Sequence, residues 1–289
     1  MVQKLSIKSS FLMFAIAVCA VFPSGILFAD MTQKVDDLIV KSGLERQIGQ
    51  LPDVISASFD QRISSDPQLK PEEATKIKDI LTKSYIPSQM IQSFKNQIGK
   101  GISEKDMDTV LLWLSSPLGQ KITQLEENAS SGDAYNQMQE FAKGLQQNPP
   151  DPARLDILNQ LDQAAHISEY SIKMKIDMIL TMAESMAAVT GQKDFSKSDL
   201  MAQVDSSRAQ IEEGSRQESM VSGLFTYQTL TNEEIKQYVE FYTSPAGTKY
   251  AQIITQALLD VFQNSSKNMG EQLGLLIKEE KNKPAENKP

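Results

Sequence analysis

The chain is almost without the residues that carry most catalytic chemistry. Of 289 residues, one is cysteine and one is histidine. Cys19 lies inside an N-terminal apolar run, so the rest of the chain has no thiol and forms no disulfide. A domain of this size can be held by its hydrophobic core instead. A single imidazole, His166, offers no convincing triad, since no serine sits in a nucleophile-elbow pattern, and it cannot begin a histidine-rich zinc site. His166 follows Ala164 and Ala165 and reads as an ordinary helix residue. The glycines are scattered, with neither the dinucleotide-binding nor the P-loop spacing. A basic excess is also missing: the net charge of −8 argues against a nucleic-acid partner and against docking on anionic lipid. No catalytic residue, metal or cofactor is therefore expected.

Strand signals are missing too. There is no Asn-Gly or Asp-Gly hairpin pair and no sustained apolar/polar alternation. What is present has a helical period. Ala246, Tyr250, Ile253, Ile254, Ala257, Leu258, Val261 and Phe262 form one apolar stripe, and Met90, Ile91, Phe94 and Ile98 a shorter one. A hydrophobic content of 40% with 23% charged residues is that of a globular chain rather than a disordered one. The expected fold class is all-α.

The N-terminus reads as a secretory signal, residues 1–29. Lys4 and Lys8 supply the positive region, residues 11–22 the apolar core, and Pro23, Ser24 and Gly25 a helix break. Ala29 before Asp30 offers the cleavage point; an uncleaved anchor is the alternative. The expected location is the periplasm, with no membrane span left after cleavage.

One motif is written twice. Ser116-Pro117-Leu118-Gly119-Gln120-Lys121 recurs as Ser244-Pro245-Ala246-Gly247-Thr248-Lys249, with Trp113 aligned to Phe241 and Val110 to Tyr238 upstream. The repeat predicts two related helical units, residues 30–147 and 153–277, joined by a proline-rich linker at 148–152. The charged segment 278–289 is expected to be a disordered tail. In each motif the serine should cap a helix, the proline open it, and the glycine admit a close backbone, while Lys121 and Lys249 point outward. The motif thus predicts a sharp corner between helices; an anion site at the helix start is the lesser alternative. Ser103 with Asp106, and Thr231 with Glu234, should cap the helices that precede the two corners.

Tyr238-Val239-Glu240-Phe241-Tyr242-Thr243-Ser244-Pro245-Ala246-Gly247-Thr248-Lys249 resembles the signature of domain of unknown function family 2059. The first copy keeps only the Ser-Pro-x-Gly-x-Lys part. The resemblance implies an exported, helical bacterial protein and carries over no catalytic residues.

Met174, Met178, Met182 and Met186 recur every turn among isoleucines and leucines. Core packing is the commonest use of such a stripe. An adaptable apolar groove and a soft-metal site are the others. Acidic pairs such as Glu212-Glu213 and Glu233-Glu234 read as solvated faces or helix starts. The expectation that results is a non-enzymatic binding or interaction protein of the cell envelope. It would hold an unknown protein or apolar small molecule near the methionine stripe or between the units. A carboxylate-pair hydrolase of an envelope polymer and an oligomeric scaffold are the alternatives.

Overall fold

The computed structural model of the protein describes residues 24–65 and 70–282. Among them every regular element is an α-helix, so the all-α expectation holds. The first half runs α1 (Ser24–Lys41), α2 (Leu44–Ser65), α3 (Pro71–Lys83), α4 (Pro87–Gly101), α5 (Glu104–Leu114), α6 (Pro117–Ala129) and α7 (Gly132–Gly144). The second runs α8 (Pro152–Ala165), α9 (Ile167–Thr190), α10 (Lys197–Ser206), α11 (Arg208–Thr226), α12 (Asn232–Thr243) and α13 (Pro245–Asn282). The positive and apolar regions of the expected signal, Cys19 included, lie outside the described residues. Ser24 and Gly25, expected to break the helix, belong to α1, which runs through the expected cleavage point without interruption.

Local chemistry sets the boundaries. Pro71 opens α3, where its missing N–H costs nothing, and Glu72 and Glu73 face the positive end of the dipole. Asp151 caps α8 and Pro152 opens it, which fixes the junction between the halves. Thr231 and Glu234 close a full capping box on α12. On α5 the Ser103 hydroxyl accepts the Asp106 N–H, and the shorter Asp106 side chain bonds that hydroxyl instead of the cap's backbone. Two expectations need correction. Residues 278–282, assigned to the tail, continue α13, which ends at Asn282; 283–289 lie outside the described residues. His166 is not inside a helix. With φ +56° it is the left-handed pivot between α8 and α9, and the start of α9 is capped instead by the Asp162 carboxylate, which accepts the Ser168 N–H at 2.9 Å.

Corresponding helices pack in corresponding pairs. α1 lies on α2, α4 and α5, and α8 lies on α9, α11 and α12. α2 lies on α4, and α9 on α11. α2 also meets α6 and α7, while the continuous α13 meets α9 along its length. In that last pair α13 presents Ser266, Gly270 and Gly274, all buried, to the α9 backbone. A Cβ on Gly270 would collide with the Met182 carbonyl, and one on Gly274 would stand 3.1 Å from that of Met186. The halves do not have separate cores. Phe94, Met107 and Val110 belong to the same contiguous cluster as Leu161, Ile235 and Tyr250, all nearly or fully buried. Each such side chain contributes about 1.5–3 kcal/mol on burial.

Candidate functional site

The twice-written motif builds two like corners. Ser116 Oγ donates to the Trp113 carbonyl at 2.6 Å and accepts the Gly119 N–H at 3.0 Å. Ser244 Oγ donates to the Phe241 carbonyl at 2.6 Å and accepts the Gly247 N–H at 3.1 Å. A side chain on either glycine would strike the last carbonyls of the preceding helix, Trp113 O or Phe241 O. Pro117 and Pro245 open the new helices. Six of the eight motif residues are thus used up in turning the chain. Of the other two, Lys249 is exposed as expected. Lys121 is exposed too, and its ammonium also reaches across to Glu234 of α12 at 2.7 Å, which ties the halves together. Corresponding residues also meet directly: the Trp113 and Phe241 rings stack at 4.8 Å, 7° from parallel.

Behind the second corner lies the most unusual chemistry of the molecule, which the sequence did not point to. Glu126, on α6, is half-buried, and its Oε1 accepts the hydroxyls of Tyr227 at 2.7 Å and Tyr238 at 3.0 Å. Tyr238 in turn is 3.1 Å from the Tyr242 hydroxyl. Burial pushes the Glu126 carboxyl above its usual range, against the pull of the two hydroxyls. Burial, with the Glu126 charge beside them, raises Tyr227, Tyr238 and Tyr242 as well. Arg154 of α8 pins the turn that presents Tyr227, donating to the carbonyls of Tyr227 and Leu230 and, at 2.9 Å, to Asn232 Oδ1. A signal for Glu126 was present in the spacing from the repeated motif. It stands as far past Gly119 as Ile254 stands past Gly247, so a carboxylate occupies a place on the apolar stripe.

Two openings flank this cluster. The first, of about 320 Å³, is almost wholly apolar and lies where the start of α9 meets α12 and α13; Met174, Tyr242, Tyr250, Ile254 and Leu258 line it. The second, of about 610 Å³, lies between α2, α6 and α7 of the first half and α9 and α11 of the second; Glu126, Ser130, Tyr135, Glu218, Ser222 and Tyr227 line it. Ile167 and Ser171, in the first turns of α9, belong to both walls. Ile167 is 43% exposed, unusual for an isoleucine beside two concave surfaces. Of the methionine stripe, Met174 alone lines the apolar opening. Met178 packs against the core, and Met182 and Met186 stand where α13 crosses α9.

A third opening, of about 770 Å³, surrounds His166 but gathers no convergent group. Its polar groups are engaged locally: His166 with Glu169 at 2.8 Å, Lys173 with Asp177 at 2.5 Å, and Arg208 with Asp205 at 2.8 Å. Glu212 pairs loosely with Arg216, and Glu233 lies in the first turn of α12, as acidic helix starts do. Among the described residues no group of three metal-ligating side chains comes together, and no helix is long and apolar enough to cross a membrane.

Residues 88–148 and 227–274 match the family model of domain of unknown function 2059, described as an uncharacterized protein conserved in bacteria. The two segments cover less than half of the chain and take in both corners, the first from α4 through α7 and the second from the end of α11 into α13. No curated protein and no solved structure matches the chain.

Proposed function

We propose that this chain is an exported, non-enzymatic binding protein of the bacterial cell envelope, built as two related helical units, that holds an apolar ligand or partner segment in the second of them. One observation carries the reading: the 320 Å³ apolar opening lined by Met174, Tyr242, Tyr250, Ile254 and Leu258. It falls at the lower end of the size of small-molecule sites, and it is apolar in the way such sites are. Its walls come from the second matched segment and from the stripe where a groove was expected. The lysine-flanked apolar N-terminus supports export, and the twin corners with their like packing partners support duplication.

Native mass spectrometry of protein recovered from the periplasm of a bacterial host tests this directly. The expected spectrum is a chain shortened by the signal and carrying a mass excess that is lost on denaturation. The Leu258→Glu variant, which puts a charge into the apolar wall, should be exported and folded but bare. A bare wild-type chain that stays bare after incubation with envelope lipid extract would overturn the binding reading.

A second reading, hydrolysis of an envelope polymer, has one observation in its favour. Glu126, raised by burial, and Glu218 line the same opening, as a general acid and a second carboxylate would. The binding reading is stronger because hydrolysis needs a free acid and a free nucleophile or base, whereas Glu218 is paired with Lys175 at 2.5 Å and one Glu126 oxygen already holds two tyrosine hydroxyls. Release of soluble fragments from peptidoglycan by the wild type, and not by Glu126→Gln, would reverse that preference.

A further inference from the structure

The polar and apolar openings adjoin, and their walls differ in a way that specifies a ligand. Two carboxylates, Glu126 and Glu218, line the polar opening, and no lysine or arginine does. Lys175 is held by Glu218 and the buried Ser215 hydroxyl. Only one oxygen of Glu126 is used by tyrosines; Oε2 has no hydrogen bond among the described residues. Tyr135 and Tyr227 add aromatic rings to the same wall. Carboxylate oxygens beside aromatic rings suit an organic ammonium, and the overall charge of −8 draws cations toward the protein. Among the described residues the same wall offers a carboxylate or phosphate headgroup no free cation. From here a chain can run over Ile167 and Ser171, shared by both openings, into the apolar space beside Met174 and Leu258. Burying that chain, and Ile167 beneath it, supplies the hydrophobic part of the affinity.

We propose that the ligand is a cationic amphiphile, with its ammonium group between Glu126, Glu218, Tyr135 and Tyr227 and its hydrocarbon chain in the apolar opening. This rests on the binding reading above and adds the charge of the headgroup to it.

Isothermal titration with three single-chain probes separates the two claims. Decyltrimethylammonium, decanoate and decyl glucoside share one chain and differ in headgroup charge, and each is used below its micelle concentration. The ammonium probe should bind at least about tenfold more tightly than either other probe. The Glu126→Gln/Glu218→Gln double variant should lose that preference while keeping its affinity for decyl glucoside. Should the double variant fail to fold, Ser222→Lys serves instead, because it places a cation on an exposed position of the same wall. It should weaken the ammonium probe alone. Equal binding of all three probes would overturn the ammonium assignment and leave the apolar site standing, as would tighter binding of decanoate. No binding of any probe would overturn both.

Discussion

The two corners of this molecule are nearly the same in backbone and unlike in what they carry. Ser116 and Ser244 make the same pair of hydrogen bonds within 0.1 Å, and each glycine admits the same carbonyl. Beyond that frame the residues part. Val110, Leu114 and Ile122 stand in the first copy where Tyr238, Tyr242 and Tyr250 stand in the second. Glu126 and Ser130 line a polar opening from the positions at which Ile254 and Leu258 line an apolar one. A turn that must collide with nothing tolerates only glycine, whereas the helix face after it is free to change. The frame therefore tells how the protein is built, and the divergence of that face is where a function would be sought.

The sharpest way to break the comparison is at its glycines. Gly119→Ala and Gly247→Ala each drive a methyl group into backbone rather than into a flexible side chain. Both should cost about 3 kcal/mol or more, the upper part of the overpacking range. Urea unfolding followed by the fluorescence of Trp113, the only tryptophan, measures both variants in one experiment. Similar losses would establish the corners as mechanical equivalents; one tolerated substitution would end the comparison.

Next comes the place where the copies differ most. Glu126→Ile gives the first copy the residue of the second; it strands the Tyr227 hydroxyl and leaves that of Tyr238 only the Tyr242 hydroxyl as partner. The expected loss is about 1–3 kcal/mol. Glu126→Gln keeps an acceptor and removes the charge, so it isolates titration. Because burial raises the folded carboxyl above its unfolded value, the contribution of Glu126 to stability is greatest below the unfolded value and is lost as pH rises through the folded one. The Gln variant should lack that fall. Urea midpoints across the acid-to-neutral range that show the same slope in both proteins would mean the carboxylate is not strained by its burial. Tyr227→Phe is milder, about 1 kcal/mol, since Tyr238 continues to donate to the same oxygen.

How much of this could be read in the chain follows from the range of the forces involved. Caps, corner prolines and apolar stripes act within a few residues, so Ser103, Thr231, Ser116 and Ser244 appear where the letters put them. His166 defeated the reading because its left-handed turn uses no glycine or asparagine, and the Asp162 carboxylate caps the next helix from six residues back, outside the usual capping spacing. The tyrosine cluster was beyond reach for a different reason. Its hydrogen bonds join Glu126 to residues a hundred or more positions away, and each tyrosine alone looks like core. The methionine stripe was legible as a helix face, but one face serves three purposes along its length. Only the crossing of α13 decides that Met174 lines a cavity while Met182 and Met186 lie under a neighbouring backbone.

The smallest expected effect tests whether the halves are coupled through charge or only through packing. Lys121 is the single lysine of the two motifs that spans the junction, and Lys249, its counterpart, has no ion pair among the described residues. Lys121 hydrogen-bonds Glu234 and, ahead of the Thr231 N–H, draws its carboxyl below the usual value. A depressed carboxyl adds stability above its unfolded value, and that stability is lost as pH falls through the folded one. Lys121→Ala should therefore cost less than about 1 kcal/mol at neutral pH, shrinking further in high salt, because the pair is partly solvated. The capping box holds Glu234 in place without the lysine, so α12 should keep its start. Lys249→Ala should cost nothing measurable. If Lys121→Ala were as damaging as the glycine substitutions, the junction would depend on this pair. The stacked rings of Trp113 and Phe241 would then be a consequence of the docking rather than its cause.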